Sequence, residues 1–83
     1  MFRILVVDDD SALRLTVSSA FQERHYHVDE ACDGEAAIDK VMAAKYDLVL
    51  LDVNMPKLSG LEALKSIKAY DNSIIVIVLT AYS

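Results

Sequence analysis

The chain predicts an α/β fold on a parallel sheet, and three observations point to it. Short apolar runs alternate with stretches of helical periodicity, the pattern of repeated strand–helix–strand units. The runs Ile4–Val7 and Leu48–Leu51 are wholly apolar, as strands covered on both faces must be. Both end on acids: Asp8, Asp9 and Asp10 follow the first, and Asp52 follows the second. Parallel strands would bring these acids to one edge, where an open α/β sheet keeps its ligand site.

Taken in order, Arg3–Val7 reads as the first strand. A helix follows from about Ala12 to Arg24, with Leu13, Val17, Ala20 and Phe21 on one stripe and Asp10 or Ser11 capping its first turn. His27–Ala31 is half polar and alternates, which suits an edge strand. Asp33-Gly34 turns the chain into a second helix, Glu35 to Ala44, with an inward stripe of Ala37, Ile38, Val41 and Met42. Asp47–Leu51 is the third strand. After a loop containing Met55-Pro56, Ser59-Gly60-Leu61-Glu62 is a capping box for a third helix that buries Leu61, Leu64 and Ile67. Ile74–Leu79, six consecutive apolar residues, is a fourth strand.

Composition narrows the function classes. At 83 residues the chain is one small domain, and 54% apolar content with two glycines and one proline is globular, not disordered. Thirteen acids against eight bases give a net charge of −5, and no basic run or zinc spacing is present, so direct nucleic-acid binding is not expected. Cys32 is the one cysteine, which excludes an intrachain disulfide and reads as a small buried hydrophobe. Phe2–Val7 is too short for a secretory h-region and Ile74–Leu79 too short to span a bilayer, so a cytoplasmic protein with no membrane contact is expected. His25 and His27, far from the acids, read as surface residues. Tyr46, Tyr70 and Tyr82 read as packing or surface aromatics, and Lys57, Lys65 and Lys68 as a solvated face.

The acidic edge carries the chemistry. Carboxylates gathered at one place repel one another and do not all stay ionised without a cation. A hard divalent ion relieves this, Mg²⁺ (or Mn²⁺) above all, since Mg²⁺ is held by one or two carboxylates with waters and a phosphate. Asp10 suits a helix cap better than a ligand. No glycine-rich phosphate loop follows the first strand. An EF-hand starting at Asp52 fails at Pro56 and Lys57. A haloacid dehalogenase-type phosphatase would need a general acid two residues after Asp52, where Asn54 stands.

Together, Ile4-Leu5-Val6-Val7-Asp8-Asp9-Asp10, Asp33-Gly34-Glu35-Ala36, Leu50-Leu51-Asp52-Val53-Asn54-Met55-Pro56 with Gly60, and Val78-Leu79-Thr80-Ala81 resemble the receiver domain of two-component response regulators. The resemblance covers all 83 residues. It implies a flavodoxin-like, three-layer parallel sheet, cut to four strands in the order 2-1-3-4 and three helices. It implies Asp52 as phosphoacceptor and a Mg²⁺ site made by Asp8, Asp9 and Asp52, with Asn54 adding its backbone carbonyl. Thr80 would donate its hydroxyl to a phosphoryl oxygen, beside which small Ala81 leaves room. Pro56 and Gly60 would shape the loop after Asp52. A histidine kinase or phosphotransfer protein would be the phosphodonor. The chain would be a signalling domain, not an enzyme, with at most slow self-phosphorylation and dephosphorylation.

The family's pattern continues with a fourth helix, a fifth strand ending on a lysine, and a fifth helix. Residues 1–83 are therefore expected to form a receiver-like domain incomplete at its C-terminus, with phosphorylation weakened by the missing lysine. Strand Ile74–Leu79 would be an open apolar edge, with its faces and part of the first strand's face uncovered. Such an edge predicts a homodimer or larger oligomer through that strand. The alternative function is accordingly a receiver-like dimerisation or interaction module that no longer signals by phosphate.

Overall fold

The structure, a computed structural model, describes residues 1–52 and 60–79. In chain order they form β1 (Arg3–Val7), α1 (Ser11–Glu23), β2 (His27–Ala31), α2 (Gly34–Ala43), β3 (Leu48–Asp52), α3 (Gly60–Tyr70) and β4 (Ile75–Leu79). The strands make one sheet in the order β2-β1-β3-β4, and every pair is parallel. This is the expected order, with the half-polar β2 at one edge.

Registers fix which side chains share a face. Leu5 and Val7 of β1 pair with Val49 and Leu51 of β3, and all four are buried against Ala37 and Val41 of α2 and Ala63 and Ile67 of α3. The two fully buried alanines let both helices lie close to the sheet. The opposite face, carrying Ile4, Val6 and Leu50, packs against Val17 and Phe21 of α1. Apolar residues on both faces of β1 and β3 are what a central parallel strand requires.

The edges of the buried stripes differ from the periodicity reading. Leu13 and Ala20 of α1, Met42 of α2 and Leu61 of α3 are exposed. Each helix fully buries fewer positions: Ser18 in α1, flanked by half-buried Val17 and Phe21; Gly34, Ala37 and Val41 in α2; and Gly60, Ala63 and Ile67 in α3. The expected Ile38 and Leu64 pack partly buried against the core. The Ser18 hydroxyl donates to the Arg14 carbonyl at 2.7 Å, so burial leaves it satisfied. Cys32 is exposed, because it lies in the turn after β2 and not under a helix. Lys68 is no idle surface cation: its ammonium donates to the carbonyls of Asn72 at 2.9 Å and Ile74 at 2.7 Å, closing the turn between α3 and β4.

Among the described residues, β4 is covered on one face only. Ile75, Ile77 and Leu79 are 58%, 45% and 41% exposed, whereas Val76 and Val78 turn toward the α2–α3 layer and are half-buried. The expectation of two bare faces is therefore half right. The expected gap over β1 is absent, since α1 leaves Ile4 and Val6 fully buried. Among the described residues no helix is long and apolar enough to cross a membrane.

Candidate functional site

The C-terminal end of the sheet gathers the acids. β1 hands its ladder on to Asp8, whose amide donates to the Ala31 carbonyl of β2 at 3.1 Å. The Asp8 carboxylate oxygen Oδ1 then accepts the Asp10 amide at 2.9 Å, which turns the chain away from the sheet. Asp10 caps α1, accepting the amides of Ala12 at 3.0 Å and Leu13 at 3.2 Å. It thereby leaves the cluster, as the sequence suggested. Asp52 ends β3 beside Leu79 of β4.

One carboxylate oxygen each from Asp8, Asp9 and Asp52 lie within 4.8 Å of one another. Asp8 and Asp52 are largely buried and Asp9 is exposed. Burial pushes the Asp8 carboxyl above its ordinary value; the charges of Asp52, Asp9 and Asp10 add to the rise, and the Asp10 amide opposes it. Among the described residues, no ion pair joins Asp8 or Asp9 to a basic side chain. The donor set is thus all oxygen, crowded and partly buried, and it fits a hard divalent ion. The expected contributions of Asn54, Thr80 and Ala81, and the loop residues Pro56 and Lys57, lie outside the described residues.

Arg14 and Glu30, beside the cluster, escaped the sequence reading. Arg14 of α1 donates from Nη1 to the Asp8 carbonyl at 2.7 Å and from Nε to the Glu30 carboxylate of β2 at 2.9 Å. A basic residue one turn into the helix that follows the acids was the available signal. A groove of about 460 Å³ lies elsewhere, at the other end of the sheet between the C-terminal ends of α2 and α3, bordered by Met42, Lys45 and Tyr70. It holds none of the clustered acids.

The sequence pattern of the response regulator receiver domain matches residues 4–83. The chain belongs to that family. Relatives of this receiver chain include sporulation initiation phosphotransferase F of Bacillus subtilis, 40% identical over 80 residues, 96% of this chain and 64% of the relative. Response regulator MprA of Mycolicibacterium vanbaalenii is also 40% identical, over 95% of this chain and 34% of its own length. The chain therefore spans under two thirds of the first relative and about a third of the second. Among solved structures, response regulator TrrA of Thermotoga maritima in complex with Mg²⁺–BeF superposes with a TM-score of 0.94 at 44% identity, covering all of this chain and 72% of TrrA. TrrA bound to the histidine kinase ThkA gives 0.92 at the same identity and coverage. The receiver fold is that of a CheY-like doubly wound sheet, as the chemotaxis protein CheY4 of Vibrio cholerae also illustrates, with a TM-score of 0.94 at 33% identity.

Proposed function

We propose that this receiver chain is a phospho-accepting signalling domain in which Asp52 takes the phosphoryl group. The observation that carries this is the convergence of Asp8, Asp9 and Asp52 within 4.8 Å at the C-terminal end of β1 and β3. These three side chains, with the Asn54 backbone carbonyl, would hold Mg²⁺ or Mn²⁺. A divalent ion there supplies neutralisation of the charge on the transferred group. Asp52 is the acceptor because it is fixed at the end of a central strand. Thr80 would donate its hydroxyl to a phosphoryl oxygen, and the small Ala81 would leave room for that group.

A histidine kinase or a histidine phosphotransfer protein is the fitting donor, a choice supported by the kinase-bound TrrA and by the phosphotransferase relative. In the transfer, an Asp52 oxygen would bond to phosphorus as the donor's N–P bond breaks, and the released imidazole nitrogen would take a proton from solvent water. A cytoplasmic setting belongs to the same reading. Treatment with a small-molecule phosphodonor and Mg²⁺, followed by mass spectrometry, should place the label on Asp52. A label on Asp9, or one that survives Asp52→Asn, would overturn the assignment.

One observation favours a second role for the 83-residue chain, self-association. β4 is an edge strand whose Ile75, Ile77 and Leu79 are all exposed on one face. Two copies could pair β4 antiparallel about a two-fold axis, a closed contact that merges both strips. Light scattering over a dilution series should show a dimer, which Ile75→Lys with Ile77→Lys dissociates. A well-folded monomer at every concentration would exclude it.

A further inference from the structure

We infer that Arg14 is a positioning residue for the divalent-ion site, holding the backbone that carries Asp8 into the acidic cluster. The inference rests on the metal reading given above and adds a residue that touches neither metal nor phosphate. Its geometry is specific. One guanidinium joins three separate elements: it grows from α1, donates to the Asp8 carbonyl just past β1 at 2.7 Å, and donates to Glu30 of β2 at 2.9 Å. The Arg14 side chain is 18% exposed, so its guanidinium is largely shielded from competing water, while the Glu30 carboxylate is 35% exposed. With its amide on Ala31, its carbonyl on Arg14 and one carboxylate oxygen on the Asp10 amide, Asp8 has little freedom left. The planar fork of arginine serves two acceptors at a fixed angle, which a lysine ammonium on its flexible stem does not.

Two competing roles predict different outcomes. As a mere counter-charge, Arg14 would oppose cation binding, so removing it would tighten binding through the stronger negative field. As a mere fold staple, it would change stability and leave the affinity of the folded protein alone. Positioning predicts weaker binding despite the gain in negative charge.

The experiment is a Mn²⁺ titration of the full chain followed by water-proton relaxation, with the unfolding midpoint measured for each variant. Arg14→Ala should weaken Mn²⁺ binding by about tenfold, the scale of lost outer-shell partners. Arg14→Lys, which keeps the charge but not the fork, should fall between it and the wild type. Glu30→Gln, which keeps an acceptor, should lose least. A folded Arg14→Ala that binds Mn²⁺ as tightly as the wild type, or more tightly, would overturn the inference. If Arg14→Ala does not fold, Arg14→Lys decides: wild-type affinity overturns the inference, and a clear loss supports it. A wild type that binds no Mn²⁺ would instead remove the metal reading of Asp8, Asp9 and Asp52, and this inference with it.

Discussion

The two ends of the sheet treat carboxylates in opposite ways. At the N-terminal end Arg3 and Tyr46 supply donors to the acids they reach, Asp47 beside them and Asp29 in the middle of β2. Asp29 accepts the Tyr46 hydroxyl at 2.6 Å and the Arg3 guanidinium at 3.3 Å, and Asp47 accepts the Arg3 amide at 2.8 Å. The Arg3 guanidinium also lies 5.2 Å from the centre of the Tyr46 ring. The Tyr46 hydrogen bond, ahead of Arg3 and His27, holds the Asp29 carboxyl below its ordinary value despite partial burial. At the C-terminal end Asp8 moves the other way, raised by burial and by its acidic neighbours. The same side chain is settled where donors surround it and crowded where other acids do. The arrangement of partners, not residue type, separates the matched acids from the crowded ones.

Breaking the matched end should cost stability and spare the site. Asp29→Ala strands the Tyr46 hydroxyl and weakens the hold on Arg3, with an expected loss of about 2 kcal/mol in denaturant unfolding. Mn²⁺ affinity should be unchanged; a parallel loss of affinity would mean that the two ends are coupled. Tyr46→Phe should have a smaller effect, on the order of 1 kcal/mol, because the Asp29 carboxylate keeps Arg3 and reaches water.

Tyr46 also sharpens the comparison through pH. Burial, and then Asp29, push its phenol up to about 12 from an unfolded value of 10.0. The folded state holds this proton more tightly, so the contribution is full below pH 10.0 and is lost as pH rises through about 12. Unfolding midpoints across that window should fall for the wild type and flatten in Tyr46→Phe. Asp29 has the opposite sign: its contribution is full above the ordinary value of 3.8 and is lost as acid carries the pH below it. The least effect is expected from Lys45→Ala, since Lys45 is 75% exposed and 3.6 Å from Asp71. Its unfolding midpoint should match the wild type.

How much of this was legible depended on the kind of signal. Strand and helix types follow from period alone, and acids at strand ends follow the strands to the sheet's edge, so Asp8, Asp9 and Asp52 could be grouped from sequence. The stripe edges could not be placed as firmly. Leu13, Met42 and Leu61 satisfy the helical period yet are exposed, while Ile38 and Leu64 on the same stripes are partly buried against the core. Partners between elements were not legible at all. Asp29 in mid-strand gives no sign that Tyr46 will reach it, nor Arg14 that it will span β2 and the end of β1, because such pairs exist only once the strands are ordered.

The central claim is that the acids at the C-terminal end are held together for a cation. Thermal unfolding of the wild type and Asp9→Asn, each with and without Mg²⁺, tests it most directly. Without metal, Asp9→Asn should unfold at a higher temperature than the wild type, because it removes one of the repelling charges. With Mg²⁺ the wild-type midpoint should rise, as ligand linkage requires, and that of Asp9→Asn should barely move. A wild type indifferent to Mg²⁺, or an Asp9→Asn that gains as much as the wild type, would contradict the account.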